Sequence, residues 1–359
     1  GARDGGARDG GARDIASEAM STTTTAIAAL NRAVYYLDRG FEPAAKAKAF
    51  TRAAEVAAGM DDDDLERRAE AGTLTDLDGI GPSTASVIAD AVLDRPPAYL
   101  TKLEQRTRLR VSAGATVFEA CRSDLHSHST WSDGGAPIRT MAMTARALGR
   151  THLALTDHSP RLTIAHGLTP ERLAEQLIEV AALNEELAPF RILTGCEVDI
   201  LADGTLDLPD DVLAGLDLVV ASAHSKLSMP ERPMTERLLR AATVPHVGGL
   251  GHCTGRKLVG RGRPPSTFDA ELVFAACAQF GTAVEVNCRP ERQDPPDELL
   301  DLALEWGCFV SVDSDAHAPG QLEWVAHGYE RLGERGVDPD RILTTWDLDT
   351  LLDWCAATG

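Results

Sequence analysis

The chain has 359 residues, enough for about two domains with at least one sizeable core. Hydrophobic residues make up 43% and charged residues 25%, the balance of an ordinary soluble protein, and no apolar run approaches the roughly 20 residues of a membrane span. The formal net charge of −20 counts against a general nucleic-acid binder, whose footprint is usually basic, so any such contact must come from locally different segments.

Residues 1–14 are a near-perfect repeat of five residues, GARDG. Glycine with paired opposite charges cannot build a core, so residues 1–22 are expected to be a disordered tail or tag, with Met20 read as the native start. That start has no apolar core of a secretory signal. The seven cysteines are scattered, odd in number and form no C-x-x-C pair, which implies reduced thiols and a cytoplasmic location.

Residues 23–103 read as a small all-α domain. Ile27, Leu30, Val34 and Leu37 have helical spacing across Ala26–Asp38, and Ala44–Ala58 is alanine-rich. The acidic run Asp61–Asp64 suits either a helix N-terminus or a solvated turn. Next comes Leu77-Asp78-Gly79-Ile80-Gly81-Pro82-Ser83-Thr84-Ala85-Ser86-Val87-Ile88, where a helix ends at a glycine turn and another begins. This stretch resembles the helix-hairpin-helix motif of DNA repair and replication proteins. The resemblance implies that Gly79, Ile80, Gly81, Ser83 and Thr84 contact DNA phosphates at a helix N-terminus. Arg95-Pro96-Pro97 ends the second helix. Residues 101–122, including a linker at 104–119, form a basic connector with Lys102, Arg106, Arg108, Arg110 and Arg122, either touching phosphate or simply solvated.

From residue 120 to 359, seven short apolar runs each end in polar, metal-type or phosphate-type side chains. They close on Asp124-Leu125-His126-Ser127-His128, on Thr156-Asp157-His158, on Gly195-Cys196-Glu197, on Ser222-Ala223-His224, on Gly251-His252, on Asn287-Cys288-Arg289 and on Asp313-Ser314-Asp315-Ala316-His317. Strand-like runs separated by helix-like stretches imply parallel βα units, whose strand ends meet at one mouth. His126 and His128 lie on one face of an extended segment, so one metal can take both. Asp133 follows in a glycine turn. Mixed imidazole and carboxylate ligands suit Zn, Mn or Fe. A cluster of such ions generates hydroxide at neutral pH and clamps phosphoryl oxygens.

These motifs, in this order, resemble the PHP (polymerase and histidinol phosphatase) family, and most of all the PHP domain of bacterial family X DNA polymerases. Asp157-His158-Ser159, Gly251-His252-Cys253-Thr254-Gly255-Arg256 and Ser314-Asp315-Ala316-His317 carry the nearer likeness. The resemblance implies a distorted (β/α)7 barrel and two or three divalent ions. It implies His126, His128, Glu197 and Asp315 around one ion, Glu197, His224 and His252 around a second, and Asp133, His158 and His317 around a third. Asp157 is expected to orient His158. Arg256 and Arg289, with Lys257, Arg261, Arg263 and Arg292, are expected to line an anionic substrate's path. No polymerase palm fits between the helical domain and residue 120, and Val87 occupies the position of the related lyase lysine, so neither polymerase nor lyase activity is expected.

The expected function is a metal-dependent phosphoesterase, foremost a DNA 3′–5′ exonuclease or related DNA-processing phosphodiesterase using a metal-activated hydroxide. A small-molecule phosphatase of histidinol-phosphatase or nucleotide-phosphatase type fits the acidic charge better and the hairpin worse. A DNA-binding scaffold with a structural metal site is the third reading. The partner is accordingly DNA or a small phosphorylated substrate, and no membrane.

Overall fold

The computed structural model describes residues 21–357, so the expected tail lies almost wholly outside the described residues. The chain divides into two compact units: residues up to 33 with 48–102, and residues 34–47 with 103 onward.

Helices supply the first unit: the start of α1 (Thr22–Arg39), most of α2 (Ala44–Ala58), α3 (Asp62–Ala71), α4 (Pro82–Val92) and the start of α5 (Ala98–Thr107). Leu30, Ala53, Ala57, Leu65 and Ile88 are buried in it, and the alanines of α2 let neighbouring backbones approach closely. The acidic run is the first turn of α3, where carboxylates meet the positive end of the helix dipole. Asp62 also accepts the Thr23 N–H at 2.8 Å. Gly72, in the left-handed conformation at φ 69°, closes α3. A single 3-10 turn, Leu74–Asp76, then leads to Gly79 (φ +89°) and α4. The helix before the glycine turn therefore stops nine residues earlier than a two-helix hairpin running up to Ile80 would need, at Ala71.

The second unit is an α/β structure around six parallel strands in the order β1 (His152–Leu155), β2 (Arg191–Asp199), β3 (Leu218–Ser222), β4 (Val247–Leu250), β5 (Ala283–Asn287) and β6 (Val310–Asp313). Almost every strand residue is buried, as expected of a parallel sheet covered on both faces. The intervening helices are α6 (Ala115–Glu119), α7 (Ile138–Ala147), α8 (Pro170–Leu187), α9 (Asp210–Leu213), α10 (Glu231–Ala242), α11 (Ala270–Phe280), α12 (Asp297–Glu305), α13 (Val325–Glu334) and α14 (Leu348–Ala357).

Six of the seven expected runs form strands; the first does not. Residues 124–128 bond β1 on one side, through Ala154 N to Asp124 O at 2.9 Å and Thr156 N to Ser127 O at 2.8 Å. On the other side His128 N donates to Ala316 O at 2.8 Å. Side chains take the amides a regular ladder would use: Leu125 N–H goes to Asp313 Oδ1 at 2.8 Å and Ser127 N–H to Thr156 Oγ1 at 3.1 Å. Only the isolated bridge Ser127–Ala316 remains.

Two expectations about the junction are corrected. Residues 34–47 belong to the second unit because Arg39, buried there, donates to Glu323 at 3.0 Å and Glu104 O at 2.8 Å, while its carbonyl accepts the Trp324 indole N–H at 2.8 Å. Residues 104–119 are not a solvated linker. Leu109, Val117 and Phe118 pack on the core that contains Tyr329 and Leu332. The amides of Ser112, Ala113 and Gly114 converge on the Glu330 carboxylate at 2.6–3.2 Å. The seven cysteines are free, and all but Cys355 are buried. No helix among the described residues is long and apolar enough to cross a membrane.

Candidate metal centre

The parallel sheet sets the site. Each strand runs the same way, so the residues at or just beyond the C-terminal ends gather at one mouth. His158 follows β1, Glu197 lies in the second half of β2, His224 follows β3, His252 follows β4, and Asp315 and His317 follow β6. His126 and His128 come from the segment beside β1.

Glu197 is the centre. Its Oε2 lies 3.2 Å from His126 Nε2, 2.9 Å from His158 Nδ1 and 3.5 Å from His128 Nε2. Its Oε1 lies 2.8 Å from His252 Nε2 and 3.1 Å from His224 Nε2. Asp133 sits on the outer side, 3.5 Å from His158 Nε2 and 3.3 Å from His317 Nε2. Asp315 Oδ1 is 3.4 Å from His128 Nε2. All nine residues singled out as ligands are therefore brought together. Three sets have donor atoms within 4.8 Å of one another: His128, Asp133, His158 and His317; His126, His128 and Glu197; His158, Glu197 and His224.

The donor set fits divalent cations. Both ring nitrogens of His128, with His126 Nε2, His158 Nδ1 and His224 Nε2, are buried without a hydrogen-bond partner. Buried polar atoms are ordinarily satisfied, and here the missing partner is one that imidazoles and carboxylates share. The electrostatics agree. Burial would raise the pKa of Glu197, but His126, His158 and His224 outweigh it and hold the carboxyl well below its ordinary range. Asp315 is likewise held low, by His128, His126 and Arg289 against the effect of burial. Burial, with His317 and His158 nearby, keeps His128 neutral, the form that ligates metal. His126 is pushed the other way, because Glu197 and Glu285 overcome the burial that disfavours its charge. The field that holds a proton on His126 also favours a cation in its place.

Outer partners orient the rings. His126 Nδ1 lies 2.5 Å from Glu285 Oε1, and the other oxygen of Glu285 accepts the His252 backbone N–H. Asn287 Nδ2 donates to Glu285 at 3.3 Å and to Asp315 at 3.2 Å. Asp199 Oδ1 lies 3.1 Å from His224 Nδ1. Carboxylate–imidazole pairs of this kind fix tautomer and ring orientation. The motif reading missed Glu285 and Asp199. The signal was present: Glu285 is a charge inside the apolar run Ala283–Val286, and a buried charge requires partners. Asp199 lies two residues after Glu197, hence on the same strand face.

Other expected roles are corrected or refined. Asp157 does not bond His158. Its carboxylate accepts Ser129 N–H at 2.8 Å, Ser129 Oγ at 2.7 Å, Ser132 Oγ at 2.5 Å and Gln176 Nε2 at 2.7 Å, so it anchors the loop that carries Asp133. Neighbouring side chains on an extended segment point to opposite faces, which separates Asp157 from the ring beside it. Arg256 is not aimed at the centre: it donates to the carbonyls of Arg292, at 2.9 Å, and Gln293. Arg289 does reach the site, with Nη1 2.9 Å from both His317 Nδ1 and Asp315 O. Arg292, expected only at the rim, places Nε 3.3 Å from Asp315 Oδ2. In the first unit, Gly79, Gly81 and Ser83 are exposed. Two of the expected phosphate amides already have partners: Ile80 N–H donates to Leu77 O at 3.1 Å and Gly81 N–H to Thr84 Oγ1 at 2.9 Å. Thr84 is buried and serves as this cap.

Residues 124–248 match the model of the PHP domain. The chain is 46% identical over 207 residues to the DNA polymerase/3′-5′ exonuclease PolX of Bacillus subtilis, covering 58% of this chain but only 36% of that protein, about a third of its length. It is 30% identical over 237 residues to a probable phosphatase of Vibrio parahaemolyticus, covering 62% of this chain and 88% of that one. Among solved structures, the histidinol phosphate phosphatase of Lactococcus lactis, complexed with zinc, L-histidinol and phosphate, aligns with a TM-score of 0.45 at 18% identity, over 60% of this chain and 93% of that one. With the centre described above, the PHP-domain match and the identity to the probable phosphatase mean that the chain belongs to the PHP family and is a metal-dependent phosphoesterase.

Proposed function

We propose that this phosphoesterase acts on DNA, as a 3′–5′ exonuclease or closely related phosphodiesterase. The observation that carries this reading is the 46% identity, over 207 residues, to a protein named as a DNA polymerase/3′-5′ exonuclease. Glu197 and the eight residues around it would hold two or three ions, Zn, Mn or Fe by the chemistry of the donors. When bound, such ions activate water at neutral pH and neutralise phosphoryl charge. The chain's own residues do the rest. Glu285 and Asp199 hold the His126 and His224 rings in position. Arg289 and Arg292, beside Asp315, supply guanidinium groups at the edge of the centre that suit a phosphoryl oxygen. Residues 124–128 stand as the seventh stave of a distorted (β/α)7 barrel. The exposed Gly79 turn, with Arg52 packed beside it, supports a helix-hairpin-helix role in holding DNA backbone.

The acidic charge and the identity to a probable phosphatase favour a second reading, a small-molecule phosphatase. Incubating Mn-loaded protein with 5′-labelled single-stranded DNA and, in parallel, with histidinol phosphate separates the two. The first reading expects stepwise shortening from the 3′ end, lost in His128→Ala. Intact DNA with rapid phosphate release from the monoester would establish the second instead.

A further inference from the structure

A cleft of about 540 Å³ opens beside His224, in the size range of small-ligand sites. Its walls include Lys226, Leu227, Met229, Arg263 and the Pro264–Pro265 pair. Among the described residues, no carboxylate lines it. That is unexpected in a chain with 55 acidic against 35 basic side chains, and it makes the cleft a local basin for anions beside the centre. Lys226 is exposed and sits at φ 52°, a left-handed conformation that non-glycine residues seldom adopt. The turn is closed by Met229 N–H donating to Lys226 O at 3.1 Å. Across the cleft, Arg263 is fixed by its Nε donating to Gly255 O at 2.7 Å. The remaining wall, from Leu227, Met229 and the prolines, is apolar enough to lie against a sugar or base.

We infer that this cleft receives the nucleotide unit next to the scissile phosphate, with Lys226 and Arg263 contacting the neighbouring backbone phosphate. The inference rests on the phosphodiesterase reading above and adds a specificity to it. The centre handles the ester being cleaved, and the cleft selects chains that carry a second phosphate. A small monoester uses the centre alone.

The test compares kcat/KM of the Mn-loaded full chain on the dinucleotide TpT and the trinucleotide TpTpT, with p-nitrophenyl phosphate as the monoester. Each oligonucleotide has one 3′-terminal linkage, so two charge-assisted contacts to the second phosphate predict a preference for TpTpT of about tenfold. The preference should shrink as salt rises. It should fall towards equal cleavage in Lys226→Ala and in Arg263→Ala, and return in Lys226→Arg. Metal content and circular dichroism of each variant are measured alongside, because Lys226 lies two residues from His224. Equal cleavage of both oligonucleotides by the wild type, or a preference retained in both alanine variants, would overturn the inference and leave the phosphodiesterase reading standing. Hydrolysis of p-nitrophenyl phosphate with neither oligonucleotide cleaved would remove both.

Discussion

Glu197 is the residue whose loss the centre can least absorb, since four imidazoles approach its carboxylate within 3.2 Å and a fifth at 3.5 Å. Glu197→Gln keeps the shape and removes the charge. Metal content should collapse and hydrolysis with it, more severely than the roughly 10–100-fold that outer partners carry. Glu285 is such an outer partner. Glu285→Gln should weaken Mn binding about 10–100-fold by calorimetric titration, because His126 and the His252 loop lose the same carboxylate. An affinity within twofold of wild type would deny Glu285 that role. Eight of the nine residues gathered at the centre were legible in the sequence because they sit where apolar runs stop, and Asp133 because it follows in a glycine turn. Glu285 sits inside a run, so reading run ends passed over it. Arg256 was read from the cationic composition of its loop, and only the folded chain shows its guanidinium held by the carbonyls of Arg292 and Gln293.

The strands were the most legible elements. His152–Leu155 and Val247–Leu250 begin and end as strands where their apolar runs do. The segment 124–128 was read as the end of one more strand because it was taken as the polar close of a run and sets His126 and His128 two residues apart. Its ladder is interrupted by Asp313 and Thr156 side chains that are remote in sequence, information no local pattern contains. His152 opens β1, is buried, and has Nε2 without a partner. Burial, aided by Arg122, lowers its pKa from 6.5 to about 4. The unfolded chain therefore binds the proton more readily than the folded one. Stability is fully present above pH 6.5 and is lost as pH falls towards 4, by at most about 3 kcal/mol. Chemical denaturation at pH 7 and pH 4.5 should show this loss, and His152→Gln should reduce it; an unchanged loss in the variant would place its origin elsewhere. In the first unit, Gly79 occupies φ +89°, and a Cβ there would come within 3.1 Å of Arg52. Gly79→Val should cost about 1–3 kcal/mol and weaken oligonucleotide binding measured by fluorescence anisotropy. Binding unchanged in a folded variant would remove the turn from the DNA account.

At the scale of the whole molecule, the net charge of −20 and the proposed DNA substrate pull in opposite directions. The structure places cations locally: Arg289 and Arg292 at the centre, and Lys226 and Arg263 at the cleft. Cleavage of oligonucleotides should then fall steeply between about 50 and 200 mM salt, while hydrolysis of a small monoester falls little. The division of the chain was only partly legible. The helical region was evident from periodicity, but the assignment of residues 34–47 to the second unit depends on Arg39 reaching Glu323, almost three hundred residues away in sequence. The central claim is a metal-dependent phosphoesterase whose substrate is DNA. Its most direct test is to strip the protein with a chelator, titrate Mn back, and follow 5′-labelled single-stranded DNA together with the bound metal. The account predicts intact DNA in the stripped protein, and 3′-end shortening that grows with metal and saturates near two or three ions per chain. Shortening that persists without metal, or intact DNA at full occupancy, would contradict it.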